Sequence, residues 1–158
     1  MNWNAITGSA EVFGALAVLI TLFYLARQIG RNTAEIRSAN YHSVTDSFNE
    51  LNLTVAQNPG LDRVFRLGNE AYETLSSDEK TQYGFFMHSV FRIMDVIHFQ
   101  SQNGTNEMTL WEFEKNTIDE LLAGPGARKW WRTRPYNFSQ DFVTYVEKQV
   151  LSNYQDDT

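Results

Sequence analysis

With 158 residues, of which 42% are hydrophobic and 14% aromatic, the chain is long enough for one domain with its own core, and its composition excludes an intrinsically disordered protein. The formal net charge of -6 argues against a nucleic-acid-binding protein, because such proteins usually carry a basic face. The absence of cysteine excludes disulfides, thiolate metal sites and a cysteine nucleophile.

The N-terminal segment from Ile6 to Ala26 is apolar apart from Glu11, which lies near its front edge. As a helix, its about 21 residues span roughly 31 Å, which matches the hydrocarbon thickness of a bilayer. A signal peptide would need positive charge before the apolar run and small residues at a cleavage site behind it. The first ten residues carry neither Lys nor Arg, and the run ends in the bulky LFYLARQI. We therefore predict a transmembrane anchor over residues 1–27.

The orientation of this anchor follows from its flanking charges. Arg27, Arg31 and Arg37 all follow the span. The positive-inside rule therefore predicts that the N-terminus lies outside the inner membrane and that residues 28–158 form a cytoplasmic helical domain. The alternative is a buried helix of a soluble protein, because the densest apolar part, residues 12–26, is short for a membrane span.

One face of the predicted span carries only small residues, Ala10, Gly14, Ala17 and Thr21, at spacings of four, three and four. A small-residue stripe lets two helix backbones approach closely, which is how membrane helices associate. The stripe therefore favours a helix-packing face. Small residues are also common in membrane helices without such a role.

After the span, no strong helix breaker occurs before QNPG at residues 57–60, so the anchor is predicted to continue as one long helix. A short helix is predicted from Asn58 to Leu67, with Gly68 ending it. The inner half of the long helix has an amphipathic stripe made of Tyr41, Val44, Phe48, Leu51 and Val55.

Ser76 and Glu79 form a capping-box pattern that opens a central helix reaching about Gln102. NGTNE at residues 103–107 predicts a turn, and apolar spacing predicts another helix over residues 110–122.

The sequence GPG at residues 124–126 is expected to end that helix, and Ser139 is expected to cap the last one. No strand-like alternation persists anywhere in the chain. The predicted fold class is therefore all-α, with an N-terminal transmembrane helix that continues into a small cytoplasmic helical bundle.

The central helix carries polar residues at steps of four, three and three on an otherwise apolar element, namely His88, Arg92, Asp95 and His98, and Gln102 follows. Asp95 and His98 could form a general acid–base dyad or part of a metal site. The alternative is that Arg92 and Asp95 pair with each other for structural reasons.

The segment RKWWRTR places basic residues around two tryptophans in an otherwise acidic chain. Such segments suit a lipid headgroup region or an anionic partner. The alternative is that the tryptophans belong to the core and the charges face water. The residues of this candidate contact are Arg128, Lys129, Trp130, Trp131, Arg132 and Arg134.

No motif identifies a reaction. The sequence has no phosphate-binding glycine loop, dinucleotide fingerprint, nucleophile elbow or H-E-x-x-H. Its histidines are too scattered for a metal site with regular spacing. We therefore expect no cofactor, no metal and no catalytic residue, and an enzyme is the less favoured reading.

The order of LAVLITLFYLARQIGRNT, NPGLDRVFRLG, LSSDEK and GPGARKWWRTRPYNFSQDFVTYV resembles a widespread family of uncharacterised bacterial membrane proteins. The resemblance extends from about Trp3 to Val150, and YLARQIGRNT and RKWWRTRPYNFS are its most specific parts. It implies a bacterial origin and an N-terminal anchor with a helical domain. It implies no activity, ligand or catalytic residue.

These features predict a single-pass membrane protein whose cytoplasmic helical domain binds other proteins, either its own copies or a larger membrane complex. Membrane lipid is the other expected partner, and nucleic acid is not. One alternative is a homo-oligomeric ion-conducting assembly with Glu11 at its outer mouth. Another is a membrane-tethered enzyme or small-ligand sensor that uses the Asp95 and His98 face.

Overall fold

A computed structural model of the chain describes residues 3–102, 108–134 and 137–154, and it includes side chains from residue 13 and, after the first gap, from residue 110. The regular elements within these ranges are all helical, so the predicted all-α class is confirmed. The turn predicted at residues 103–107 lies outside the described residues. The helices are α1 (Trp3–Gln57), α2 (Pro59–Ala71), α3 (Ser77–Gln102), α4 (Met108–Leu122), α5 (Pro125–Arg132) and α6 (Gln140–Tyr145).

Short helical turns complete the fold, and the chain divides into two compact units. A 3-10 turn covers Tyr72–Thr74, a π-helical turn covers Val146–Val150, and a second 3-10 turn covers Leu151–Asn153. The two units are Met1–Ala39 and Asn40–Thr158, and α1 contains the boundary between them.

The prediction that the apolar segment continues as one helix until QNPG is confirmed, because α1 ends at Gln57. Its interior contains no proline, and several hydroxyls bond back within the helix. Thr21 and Thr45 donate to the carbonyls of Ala17 and Tyr41 at 2.8 Å and 2.9 Å. These bonds satisfy the hydroxyl donors without any partner outside α1.

The core of the second unit is built around α3. Residues at steps of four and three along one face of this helix, including Tyr83, Met87, Phe91 and Ile97, are 0% exposed. Spacing of this kind places them on one stripe, as expected for an amphipathic core helix. From α1, Val44 joins the same core, whereas Tyr41 at the start of the predicted stripe stays exposed.

Two glycines allow α2 to approach its neighbours closely, Gly126 at the contact with α5 and Gly68 at the contact with α3. A Cβ atom at Gly126 would lie 1.8 Å from the Gly68 carbonyl oxygen, and one at Gly68 would lie 2.3 Å from the Tyr83 ring. The prediction that Gly68 ends α2 is therefore wrong, because the helix continues to Ala71. The glycine serves helix packing rather than helix termination.

The helix starts follow local rules. In the capping box, the Ser76 N–H donates to Glu79 Oε2 at 2.9 Å, and the Glu79 N–H donates to Ser76 Oγ at 3.3 Å. Ser139 caps α6 through a bond from the Phe142 N–H at 3.4 Å. Both predicted caps are confirmed. The sequence GPG ends α4 as expected, but Pro125 also opens α5, a helix that the sequence did not predict.

Candidate functional site

Asp95, the acid of the predicted polar site, is buried on α3 and is 5% exposed. Its Oδ2 accepts a bond from Arg92 Nη1 at 3.0 Å and one from the Ser139 N–H at 3.2 Å. The Ser139 hydroxyl donates to Oδ1 at 2.5 Å. Both carboxylate oxygens are therefore occupied by groups of this chain.

Arg92 extends this network to the segment before α6. Its second guanidinium nitrogen, Nη2, donates to the Asn137 carbonyl oxygen, and the guanidinium carbon lies 5.3 Å from the centre of the Phe138 ring. Because Ser139 is also the N-cap of α6, Arg92 and Asp95 fix the point where α6 begins. This arrangement matches the structural pairing that the sequence left open as an alternative.

His98 does not share a hydrogen bond with Asp95 in the described structure. Its imidazole is 5% exposed and lies in an aromatic cluster, 4.8 Å from the ring of Trp111, 5.5 Å from Tyr145 and 5.8 Å from Phe142. No hydrogen-bond partner for its Nδ1 lies within the described residues. Burial lowers the pKa of His98, while the charges of Asp95 and Asp141 raise it.

His88 lies nearer the start of α3 and has other neighbours. Its ring centre is 5.4 Å from that of Phe138, at an angle of 31°. Burial lowers the pKa of His88, and the positive charges of Arg92 and Arg134 lower it further. The predicted polar site is thus divided among the ion-pair network of Arg92 and Asp95, the buried imidazole of His98, and the His88 ring packed on Phe138. Its members do not converge on one point.

Two open grooves run beside α3 in the second unit. The larger, of about 660 Å³, has apolar residues such as Leu51, Phe86 and Ile93 and polar residues such as Glu50 and Arg92 in its lining. The smaller, of about 460 Å³, is lined by His98, Gln102, Asp141, Thr144, Tyr145, Lys148 and Gln149.

The basic segment around Trp130 and Trp131 is largely committed to the fold. Both indoles are 1% exposed and pack on Phe91, at ring distances of 5.6 Å and 5.0 Å. Arg128 donates to the carbonyls of Leu122, the last residue of α4, and of Ala123, which follows it, at 2.8 Å and 2.7 Å. Arg128 therefore acts as a C-terminal cap.

Lys129 pairs with Glu73, and Lys80 binds the same carboxylate at 2.9 Å. The hydrogen bonds from Lys129 and Lys80 lower the pKa of Glu73 to about 2. Arg134 lies against Gly84, where its Nη1 would be 3.0 Å from an added Cβ. The indoles are not placed to contact lipid headgroups, so such a contact would depend on the exposed parts of Lys129 and Arg132.

The predicted helix-packing face lies in the first unit. Gly14 has open space where a Cβ would lie, with no other atom within 4 Å. Ala17 and Thr21 are exposed as well, whereas the side chains of Ala10 and Glu11 lie outside the described residues. This part of α1 is also the one described helix that is long and apolar enough to cross a membrane, with a mean hydropathy of 1.6 in a window of which none is buried.

Sequence reasoning missed the partners of the polar residues on α3. Ser139 was predicted as a cap, but its bond to Asp95 joins residues 44 positions apart, for which the sequence carries no local signal. Trp111 and Tyr145 around His98 carry only the apolar spacing of their own helices. No group of three His, Cys, Asp or Glu side chains that could hold a metal occurs in the parts of the chain that are described.

Comparison with protein-family models, with curated proteins and with solved structures gave no match to this chain.

Proposed function

We propose that this chain is a single-pass membrane-anchored helical protein that acts by protein interaction, as a self-associating subunit or as an accessory subunit of a larger membrane complex. The observation that carries this proposal is the exposure of the apolar part of α1. Phe13, Val18, Leu19 and Leu25 are 72%, 58%, 61% and 46% exposed, and at about 100° per residue they lie roughly 0°, 140°, 240° and 120° around the helix from Phe13. These side chains therefore surround the helix.

A helix that is hydrophobic on all sides requires an apolar environment on all sides. The described chain does not provide it, since none of the most apolar window is buried. A core helix of a soluble protein would be covered by its own domain. Lipid is the environment that covers a single helix of roughly 30 Å on every side. The three arginines at 27, 31 and 37 support a cytoplasmic location of the second unit.

The state of the polar residues favours interaction over catalysis. Both oxygens of Asp95 accept hydrogen bonds from Arg92 and Ser139, so this carboxylate is engaged in holding the fold together. The small-residue face at Gly14, by contrast, has no neighbour within its own chain. A bacterial inner membrane is the proposed location, in line with the resemblance of the sequence.

The membrane location is tested by fractionation and by labelling. Native membranes washed with alkaline carbonate should retain the protein, and recovery in the soluble fraction without detergent would contradict the anchor. The chain has no cysteine, so Asn52→Cys, at an exposed position of α1, gives a single reporter thiol. A membrane-impermeant maleimide should label it only after cells are permeabilised. Labelling of intact spheroplasts would reverse the proposed orientation.

Self-association through the small-residue face predicts a specific effect of Gly14→Leu. The larger side chain should separate the two helix backbones and shift the full chain in mild detergent to a smaller particle, measured by light scattering. Gly30→Leu is the matched control, because neither glycine has an atom within 4 Å of an added Cβ.

The control should leave the particle size unchanged. An equal size for wild type and Gly14→Leu would remove this face from the proposal. A monomeric wild type would also exclude the ion-conducting assembly, because a channel with one helix per subunit requires several copies.

A further inference from the structure

His98 is a buried titratable group of α3 that takes no part in the Asp95 network. Three aromatic rings, those of Trp111, Tyr145 and Phe142, lie within 6 Å of its ring, and its Nδ1 has no partner among the described residues. Two of these rings, Phe142 and Tyr145, belong to α6. The imidazole is therefore part of the contact that holds α6 on α3.

The charged groups near His98 do not form a hydrogen bond with it in the described structure. On α3, the oxygens of Asp95 are occupied by Arg92 and Ser139. On the far side, Asp141 of α6 and Lys148 of the π-helical turn line the groove of about 460 Å³ that His98 also lines.

The helix α4 contributes Trp111 to this contact. Its residues Lys115 and Glu112, whose charges act on Tyr145, form an ion pair with each other. An imidazolium at position 98 would thus be surrounded mainly by apolar rings, and a buried charge without a hydrogen-bonded partner is unfavourable.

We propose that His98 is a proton-operated latch, which holds the C-terminal segment of residues 140–153 on α3 when neutral and releases it when protonated. This inference is independent of the membrane proposal, because every contact that carries it lies within the second unit.

The segment that packs on His98 consists of short helical elements. The helix α6 has only six residues, and it is followed by a π-helical turn at Val146–Val150 and a 3-10 turn at Leu151–Asn153. Such turns have weaker hydrogen-bond geometry than an α-helix and often mark positions that move. Besides the rings around His98, the segment is held by its cap at Ser139 and by Phe142, Val146 and Val150 in the core, so protonation of His98 removes only part of its stability.

The direction of the pH effect follows from proton linkage. Burial lowers the pKa of His98 below its ordinary value of 6.5, so the closed form binds fewer protons than the released form. Closure is fully favoured above pH 6.5 and weakens as the pH falls below that value. Glu73 acts in a separate window, because its pKa is lowered from 4.5 to about 2 and its stabilising effect is lost only as the pH falls below 4.5.

Hydrogen exchange of the full chain in non-ionic detergent, corrected for intrinsic rates, tests the latch. Between pH 7.5 and pH 5.5, amides of residues 140–153 should lose protection by up to about tenfold, the limit for one group that has its ordinary pKa of 6.5 in the released form and stays neutral in the closed form. His98→Phe and His98→Gln cannot titrate and should show less than about a twofold change over the same range. The chain has only three histidines, and His42→Gln, on α1, serves as the control that should behave like the wild type.

Two variants at position 98 separate the latch from a packing defect, since phenylalanine keeps the aromatic contacts and glutamine keeps a polar group. Constant protection in the wild type across this range would overturn the proposal. The proposal would also be overturned if both His98 variants lost as much protection on acidification as the wild type does. A gain of protection in the wild type on acidification would overturn it as well.

Discussion

Asp95→Ala is expected to lower the free energy of unfolding of the helical domain by about 3 kcal/mol, one of the two largest effects expected in this chain. The substitution removes the acceptor of three groups, Arg92 Nη1, the Ser139 N–H and the Ser139 hydroxyl. Since Asp95 is 5% exposed, water cannot fully replace it. Urea unfolding of the full chain in mild detergent, followed by tryptophan fluorescence, measures the loss.

A double-mutant cycle with Ser139→Ala separates the bond between the two residues from their other contacts. Ser139→Ala alone should cost about 1 kcal/mol, the usual value of an N-cap. The double variant should cost less than the sum of the single variants by at least about 0.5 kcal/mol, because both single variants remove the bond between the Ser139 hydroxyl and Asp95. Asp46→Ala is the surface control, since Asp46 is exposed and should change stability by less than about 0.5 kcal/mol.

The same variants distinguish a structural role of Asp95 from a catalytic one. If the role of Asp95 is structural, Asp95→Asn, which keeps the shape of the side chain, should be more stable than Asp95→Ala. Unchanged stability in Asp95→Ala would show that the observed bonds do not hold α6. The free carboxylate would then become a candidate for the ligand-sensing alternative.

The features that the sequence predicted correctly are those encoded by near neighbours. The capping box needs only Ser76 and Glu79, three residues apart, and the cap of α6 needs only Ser139 and the turn that follows. The length of α1 follows from the absence of a breaker before Pro59. In each case the deciding interactions lie within one helical turn.

The features that the sequence did not predict depend on contacts between distant segments. Gly68 looked like a helix stop, yet its missing side chain makes room for the Tyr83 ring. The helix α5 was missed because Pro125 can both end one helix and begin the next. Propensity alone does not choose between these roles.

The candidate site shows the same limit. Helical spacing correctly placed Arg92 and Asp95 in reach of each other. It could not show that Ser139 completes the network, or that aromatic rings from α4 and α6 separate His98 from water. The sequence also left open whether Trp130 and Trp131 belong to the core or contact lipid headgroups or a partner, because basic neighbours are compatible with both.

Leu19→Arg is expected to abolish stable membrane insertion, and it is the most direct test of what surrounds α1. An arginine near the middle of a span costs about 3 kcal/mol on insertion scales, which is roughly a hundredfold change in the insertion equilibrium. The variant should therefore shift from the carbonate-resistant membrane fraction to the soluble or aggregated fraction, measured by immunoblotting of fractionated cells.

Leu53→Arg is the matched control, because Leu53 is 58% exposed and Leu19 is 61% exposed in the same helix. If water surrounded both positions, the two variants would behave alike and each would become more soluble. If lipid surrounds only the first, Leu53→Arg should remain in the membrane fraction at the wild-type level while Leu19→Arg leaves it. The exposed fractions of the two leucines are nearly the same, so a difference between the variants reports the environment around each position. Equal retention of both variants in the membrane fraction would mean that something other than a bilayer covers α1.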